Sequence, residues 1–106
     1  MRRVNEVMRE VVGATISGEL QDPRIGFVTV TAVDTNPDLR TAQVYVSVLG
    51  DEEERDATMA ALRSAHGVIQ GAIAKQMHMK RTPSLTFQYD DTAERADRMN
   101  RLMGDE

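Results

Sequence analysis

Residues 25–49 read IGFVTVTAVDTNPDLRTAQVYVSVL, and this stretch decides the fold. Its first part, Ile25–Asp34, is rich in Val and Thr, which favour strands. In residues 43–48 valine alternates with Gln, Tyr and Ser, a period of two that is typical of a strand with one buried face. Asn-Pro-Asp at 36–38 has strong turn chemistry. We therefore expect an antiparallel hairpin with a long loop.

The segment before the hairpin has helical periodicity instead. From about Arg3 to Leu20, apolar residues recur at intervals of three and four, at Val4, Val7, Met8, Val11, Val12, Ile16 and Leu20. This spacing predicts an amphipathic helix with one face packed on a core. Asp22-Pro23 then breaks the helix, because the residue before a proline avoids helical dihedral angles.

After the hairpin the pattern predicts two more helices. Asp51 and Glu54 have the spacing of a capping pair, so a helix begins there and extends to roughly Ala65. Gly67 interrupts the pattern, and helical spacing resumes over Ile69–Met77. Because a glycine inside a helix is a plausible site for a sharp bend, we expect two helices that meet at a kink.

The last elements are a strand and a short helix. Pro83 ends the preceding helix, and Leu85, Phe87 and Tyr89 alternate with polar residues as in a strand. A C-terminal helix follows from about Asp91 to Leu102. The predicted fold class is α+β, in the order helix, strand, strand, helix, kink, helix, strand, helix. A three-stranded sheet is packed by helices, in one domain over residues 1–106.

Few large side chains are present to fill the core besides the valines. The chain has four aromatic residues and seven methionines. From their positions in the predicted helices and strands, we expect core packing by Phe27, Phe87, Tyr89, Met59, Met77 and Met99.

Composition excludes several classes of protein. The absence of cysteine removes disulfides, thiolate metal sites and cysteine nucleophiles, and suits a reducing cytosol. The chain contains no apolar run approaching the roughly 18–20 residues that a membrane span needs. Its first residues are charged and amphipathic, unlike a signal peptide. We expect a cytoplasmic protein with no membrane partner.

Charge is unevenly distributed along the chain. Residues 57–89 contain two lysines, two arginines and no acid, and therefore carry +4. Since the net charge is −4, the rest of the chain carries −8, and residues 51–56 alone carry −4 from five acids and one arginine. The basic segment is compatible with an anionic partner despite the negative total. The acidic run is interpreted as a solvated helix start that favours the helix dipole.

The sequence contains no arrangement of residues that indicates an enzyme active site. The two histidines, His66 and His78, are twelve positions apart and form no metal-binding pair. No phosphate-binding glycine loop is present, and Arg24 with Asn36 makes only a forced phosphatase site. We expect no catalytic residues, no metal, no cofactor and no small-molecule substrate.

Three segments carry a family resemblance. ELQDPRIG at 19–26 followed by VTVT at 28–31, DLRTAQVYV at 38–46 and PSLTFQYD at 83–90 resemble segments of the ribosome-binding factor A family. They occur in the same order and spacing, and the likeness extends from about Val4 to Met103. The resemblance implies a variant of the type II KH fold, in which an Ala-x-Gly kink replaces the usual Gly-x-x-Gly loop. Ala65-His66-Gly67 matches that kink.

The resemblance also implies a function. Members of the family bind the immature small ribosomal subunit, contact its ribosomal RNA near the decoding region and assist maturation; they are not enzymes. A KH-like domain that binds another RNA, or a domain that binds only protein, remains the alternative. We expect a monomer whose partners are the small subunit and its RNA.

Eight residues are candidates for RNA contact. The densest cluster is Lys75, His78, Lys80 and Arg81, which is either a phosphate-binding patch or a solvated helix end. The other candidates lie near the kink or flank the hairpin, and could equally be bystanders or surface ion pairs: Arg63, His66, Arg24 and Arg40. Ala65 and Gly67 are expected to have a structural part in the kink.

Overall fold

The computed structural model describes residues 2–78, 81–92 and 99–101. Its helices and strands follow the predicted order: α1 (Arg2–Gly18), β1 (Phe27–Thr35), β2 (Thr41–Leu49), α2 (Glu52–Ser64), α3 (His66–Met77) and β3 (Ser84–Tyr89). The α+β class and the helix-strand-strand-helix-kink-helix-strand order are confirmed. The short C-terminal helix predicted to follow falls largely outside the described residues.

The three strands form one sheet in the order β1-β2-β3. β1 and β2 are antiparallel, from the pair Phe27 and Leu49 to the pair Thr35 and Ala42. β2 and β3 are parallel and begin together at Thr41 and Ser84. A parallel pair needs a long crossover, and α2 and α3 supply it. The crossover therefore places the start of β3, at Ser84, at the same end of the sheet as the start of β2, at Thr41.

A bulge in β1 keeps its valines on the buried face. The register shifts between Val30 and Ala32, so that Val33 rather than Ala32 lies opposite Val44. Without the extra residue, Val33 would point to the solvent face, because side chains alternate along a strand. The bulge residue, Thr31, has its hydroxyl 3.2 Å from the Tyr45 carbonyl and 2.7 Å from Asp90 Oδ2.

One face of the sheet packs against the helices and forms the core. Phe87 is 2% exposed. The rest of the buried cluster comes from every described helix and strand: Met8, Val11, Val12, Ile16, Val30, Val33, Ala42, Val44, Val46, Val48, Met59, Leu62, Ile69, Ile73 and Leu85. Tyr89 and Met77 are half-buried against this cluster. The valine alternation therefore predicted the buried face of the sheet correctly.

Two of the expected core residues are exposed instead. Phe27 is 79% exposed, because it lies on the opposite face of β1 from Val28, which packs against the core. Met99 is 58% exposed and is not part of the core cluster. The core assignments of Phe27 and Met99 are therefore wrong, since apolar character alone does not decide which face of an element is covered.

The kink between α2 and α3 is centred on Ala65. This residue leaves helical geometry, with φ −87 and ψ 8, while its N–H still donates to the carbonyls of Ala61 and Leu62. Ile69 N–H then donates to the Ala65 carbonyl at 3.1 Å and starts α3. Gly67 lies inside α3, and a Cβ built there would meet nothing within 4 Å. Neither its backbone conformation nor close packing requires glycine at that position.

The start of α2 is capped as the sequence predicts. Asp51 is extended, with φ −80 and ψ 178, and its Oδ1 accepts a hydrogen bond from Glu54 N–H at 2.8 Å. We expect Asp51→Ala to lower the free energy of unfolding by about 1 kcal/mol, since a helix N–H loses its acceptor. Urea denaturation measures this loss. Asp51→Asn, which keeps the acceptor, is the control, and an equal loss in both variants would contradict the capping explanation.

Candidate nucleic-acid interface

The end of α3 sets the position of the basic residues that follow it. Ile69 and Ile73 are buried in the core, so the helix presents Lys75 on its exposed side. His78 has a left-handed backbone (φ 50, ψ 32), which ends the helix and turns the chain toward β3. The imidazole of His78 is consequently exposed at the helix end.

The parallel pairing of β2 with β3 places Arg40 and Arg81 at the same end of the sheet. Ser84 N–H donates to the Arg40 carbonyl at 2.8 Å, which joins the start of β3 to the start of β2. Arg81 lies three residues before Ser84, so Arg40 and Arg81 flank the same sheet end, and both are exposed. Their proximity depends on the pairing of two strands more than forty residues apart.

We name Arg40, Lys75, His78 and Arg81, which are exposed residues at the start of β2, at the end of α3 and in the segment that leads into β3, the basic end. Among residues 2–78, 81–92 and 99–101, the charged groups of the two arginines and the lysine have no ion-pair partner. These cations are therefore available to an anionic ligand. Lys80, the remaining candidate of this cluster, lies outside the described residues.

A groove lies beside Lys75 and His78, between α3 and the end of α1. It has a volume of about 650 Å³ and is lined by Glu19 at the end of α1 and by α3 residues, including Val68, Gly71, Lys75 and His78. The groove is open, and its lining combines small residues with the cation Lys75 and the acid Glu19. Such a surface suits a phosphate backbone better than an enclosed small molecule, since ligand pockets usually bury most of the ligand.

Arg63 lies along the outer edge of β3, and His66 follows it at the start of α3. The Arg63 guanidinium donates through Nη2 to the Phe87 carbonyl at 3.3 Å, and His66 is half-buried at the start of α3. Farther along, the Gln70 side chain bonds to the Pro83 carbonyl and to Leu85 N–H. These contacts cover the strand edge, so Arg63 stabilises the edge of β3 in addition to any contact with RNA.

Arg24 is not brought to the basic end. It lies just before β1, at the sheet end where Phe27 pairs with Leu49, whereas Arg40 lies at the other end of β2. With a rise of about 3.4 Å per residue, the nine residues of β2 separate the two ends by roughly 27 Å. Arg24 instead pairs with Asp22, with Nη2 2.6 Å from Oδ2 and Nε 3.1 Å from Oδ1.

The Asp22–Arg24 pair should be visible in a titration. Hydrogen bonds from the Arg24 side chain and backbone hold the pKa of Asp22 below its usual value of 3.8. A lowered pKa in the folded state contributes stability above the unfolded value, and this contribution is lost as pH falls through the folded pKa. Carboxyl NMR should find the Asp22 pKa lowered, and Arg24→Gln should raise it. An equal Asp22 pKa in both proteins would contradict the pairing.

One arginine near the basic end was not among the sequence candidates. The Asn5 side chain accepts a hydrogen bond from Thr35 N–H at 3.0 Å, which ties the start of α1 to the hairpin's loop end. Arg3, exposed on the first turn of α1, therefore lies on the same side of the protein as Arg40. No local pattern could have found it, because its position depends on how α1 packs on β1.

The densest run of acidic residues lies at the opposite end of the sheet, whereas Asp38 lies at the basic end, where its Oδ1 accepts a hydrogen bond from Arg40 N–H at 2.9 Å. Asp51 and the first turn of α2 follow directly after Leu49, at the end of β2 remote from Arg40. Arg55 stacks over the Tyr89 ring at 4.7 Å and lies 3.8 Å from Glu52. Among the described residues, no group of three His, Asp or Glu could hold a metal ion, and no helix is long and apolar enough to cross a membrane.

Comparisons with known proteins agree on one family. The family model described as ribosome-binding factor A matches residues 1–103. The curated ribosome-binding factor A of Thermomicrobium roseum is 44% identical over 101 residues, covering 95% of this chain and 78% of that protein.

Solved structures agree with the sequence relatives. The crystal structure of ribosome-binding factor A from Thermus thermophilus has a TM-score of 0.74 and 28% identity, covering 83% of this chain and 92% of that one. A homology model of the Thermus thermophilus factor, fitted into a cryo-EM map of a 30S complex, has a TM-score of 0.69 and 28% identity, with the same coverage. With this sequence match and the KH-like fold, the chain belongs to the ribosome-binding factor A family.

Proposed function

We propose that this protein binds the small ribosomal subunit and its ribosomal RNA and assists late maturation of the subunit. The observation that carries the proposal is the match to ribosome-binding factor A along residues 1–103. The related Thermus thermophilus factor fitted into a 30S complex supports the same partner. The basic end supplies a surface with the chemistry that RNA phosphates require.

Binding through the basic end would be directed by shape and charge. Arg40, Lys75 and Arg81, with Lys80, contact phosphates of folded RNA, and His78 lies among them. Each phosphate contact releases counterions from the RNA, and this release provides free energy without base recognition. Binding energy then holds a local RNA conformation while maturation proceeds. Arg63, at the β3 edge, and His66, at the start of α3, extend the surface, whereas Arg24 has no part in it.

The remaining parts of the proposal follow from this mechanism. The chain acts as a single domain over residues 1–106, as a monomer in the cytoplasm where small subunits are assembled. It acts by binding rather than by catalysis and requires no cofactor. Acidic groups at the opposite end, such as those of residues 51–54, repel phosphates. They therefore disfavour RNA contact at that end of the protein.

Co-sedimentation with purified ribosomal particles tests the function. We expect association with small subunits and not with large subunits or joined ribosomes. If four cations contact phosphates, affinity should fall about a hundredfold between about 50 and 200 mM salt. Binding to free RNA alone would favour a different RNA target. Association that is insensitive to salt would favour a protein-only partner, and absence of binding to every particle would refute the proposed function.

A further inference from the structure

An exposed apolar pair lies at the sheet end opposite the basic end. Phe27 and Leu49 face each other across β1 and β2, and they are 79% and 73% exposed. Directly opposed side chains in an antiparallel pair have Cβ atoms about 4.5–5.5 Å apart, so the two form one continuous surface. The neighbouring Val28 and Val48 point to the core side. The side chains of Phe27 and Leu49 therefore take no part in the core.

A groove lies beside Phe27. It has a volume of about 280 Å³ and lies between the end of α1 and the segment that leads into β1. Its lining includes Ile16, Leu20 and Ile25, and Asp22, whose carboxylate pairs with Arg24. The exposed lining of the groove is mainly polar, so it can accept a polar or charged side chain from a partner, while Phe27 and Leu49 provide the apolar surface. Exposed apolar surface of this kind often marks an interaction site.

Negative charge borders the apolar pair. The chain passes from Leu49 through Gly50 into four consecutive acids, residues 51–54. An ideal Cβ at Gly50 would lie 2.8 Å from Glu54 Oε2, so the Glu54 carboxylate lies against the backbone directly after Leu49. Gly50 has φ 137, which another residue would adopt only with strain. Glu54 therefore lies next to the residue that directly follows Leu49.

The negative charge of residues 51–54 favours one class of binding partner for the apolar pair over the others. Phosphates of RNA would be repelled by residues 51–54, and two copies of this chain packed on this surface would bring their acidic residues together. A positively charged protein segment with an apolar side chain satisfies both the apolar pair and its acidic border. Charge complementarity of this kind speeds association and excludes wrong partners.

We propose that Phe27, Leu49 and the adjacent groove bind a lysine- or arginine-rich segment of a small-subunit ribosomal protein, which packs an aliphatic or aromatic side chain on the apolar pair. This inference rests on the proposed function, because the partner is carried by the small subunit. The protein then contacts the subunit at two ends, with RNA at the basic end and protein at the apolar pair. The two contacts are roughly 27 Å apart along β2.

Photocross-linking on purified small subunits tests the inference. The photoreactive p-benzoylphenylalanine replaces Phe27, and cross-linked fragments are identified by mass spectrometry. We expect cross-links to a Lys- or Arg-rich segment of a ribosomal protein. The same probe at Val7, which is 39% exposed on α1, is the control. Cross-links from position 27 only to RNA or to a second copy would overturn the proposal, as would protein cross-links that are equal from both positions.

A binding measurement gives a second, independent result. The double variant Phe27→Thr with Leu49→Thr keeps residues that suit strands and should bind small subunits about tenfold more weakly or worse. Val7→Ala should bind like the unaltered protein, and thermal unfolding checks that every variant is folded. Full binding by the folded double variant would overturn the proposal and leave the proposed function intact. If the unaltered protein does not sediment with small subunits, the proposed function itself fails, and the inference fails with it.

Discussion

Replacing Lys75, Lys80 and Arg81 with Glu should abolish association with the small subunit. The triple variant changes the charge of this region by six units, so that phosphates are repelled where they were attracted. We expect affinity at physiological salt to fall by at least about a hundredfold. Lys75 and Arg81 are exposed, so the fold should be retained. Co-sedimentation over a range of salt concentrations measures the loss, and circular dichroism verifies folding.

The matched control retains the charges and changes only the side chains. Lys75→Arg, Lys80→Arg and Arg81→Lys together should bind with nearly the same affinity and salt dependence as the unaltered protein. If this control also loses binding, the contact depends on side-chain geometry more than on charge. A folded Glu triple variant that binds normally would contradict the assignment of the basic end, although the family membership would stand.

Substituting the buried phenylalanine should have the largest effect on stability. Phe87 is 2% exposed in the middle of the core, and Phe87→Ala would remove most of its side chain and leave a cavity. Such changes cost about 3–5 kcal/mol, a large part of the stability of a domain of this size. Urea denaturation monitored by circular dichroism should show a much lower midpoint. A loss below about 1 kcal/mol would mean that β3 does not pack as the structure shows.

The other phenylalanine of the chain provides the control. Phe27 is 79% exposed, so Phe27→Ala should change the free energy of unfolding by about 1 kcal/mol or less. The two variants delete the same atoms and differ in whether those atoms are buried. Comparable losses of stability in the two variants would contradict the placement of Phe27 on the exposed face of β1. This comparison also separates stability from binding, since Phe27 belongs to the proposed protein contact.

The sequence by itself determined the elements of this protein. Valine alternation in residues 43–48 identified β2 and its buried face, and the three- and four-residue spacing in residues 3–20 identified α1. Asp51 with Glu54 marked the start of α2, and the cap is present. These features could be predicted because each depends on residues at most four positions apart. Periodicity and capping are local properties of the chain.

Only the tertiary structure decided which residues share a surface. Arg40 lies beside Arg81 because β2 and β3 start together, and Arg24 is excluded because it lies at the other end of the sheet. Phe27 is exposed because its position in the ladder turns it away from the helices. Register, strand order and crossover are set by contacts between residues that are distant in sequence. A local sequence pattern does not reveal these contacts.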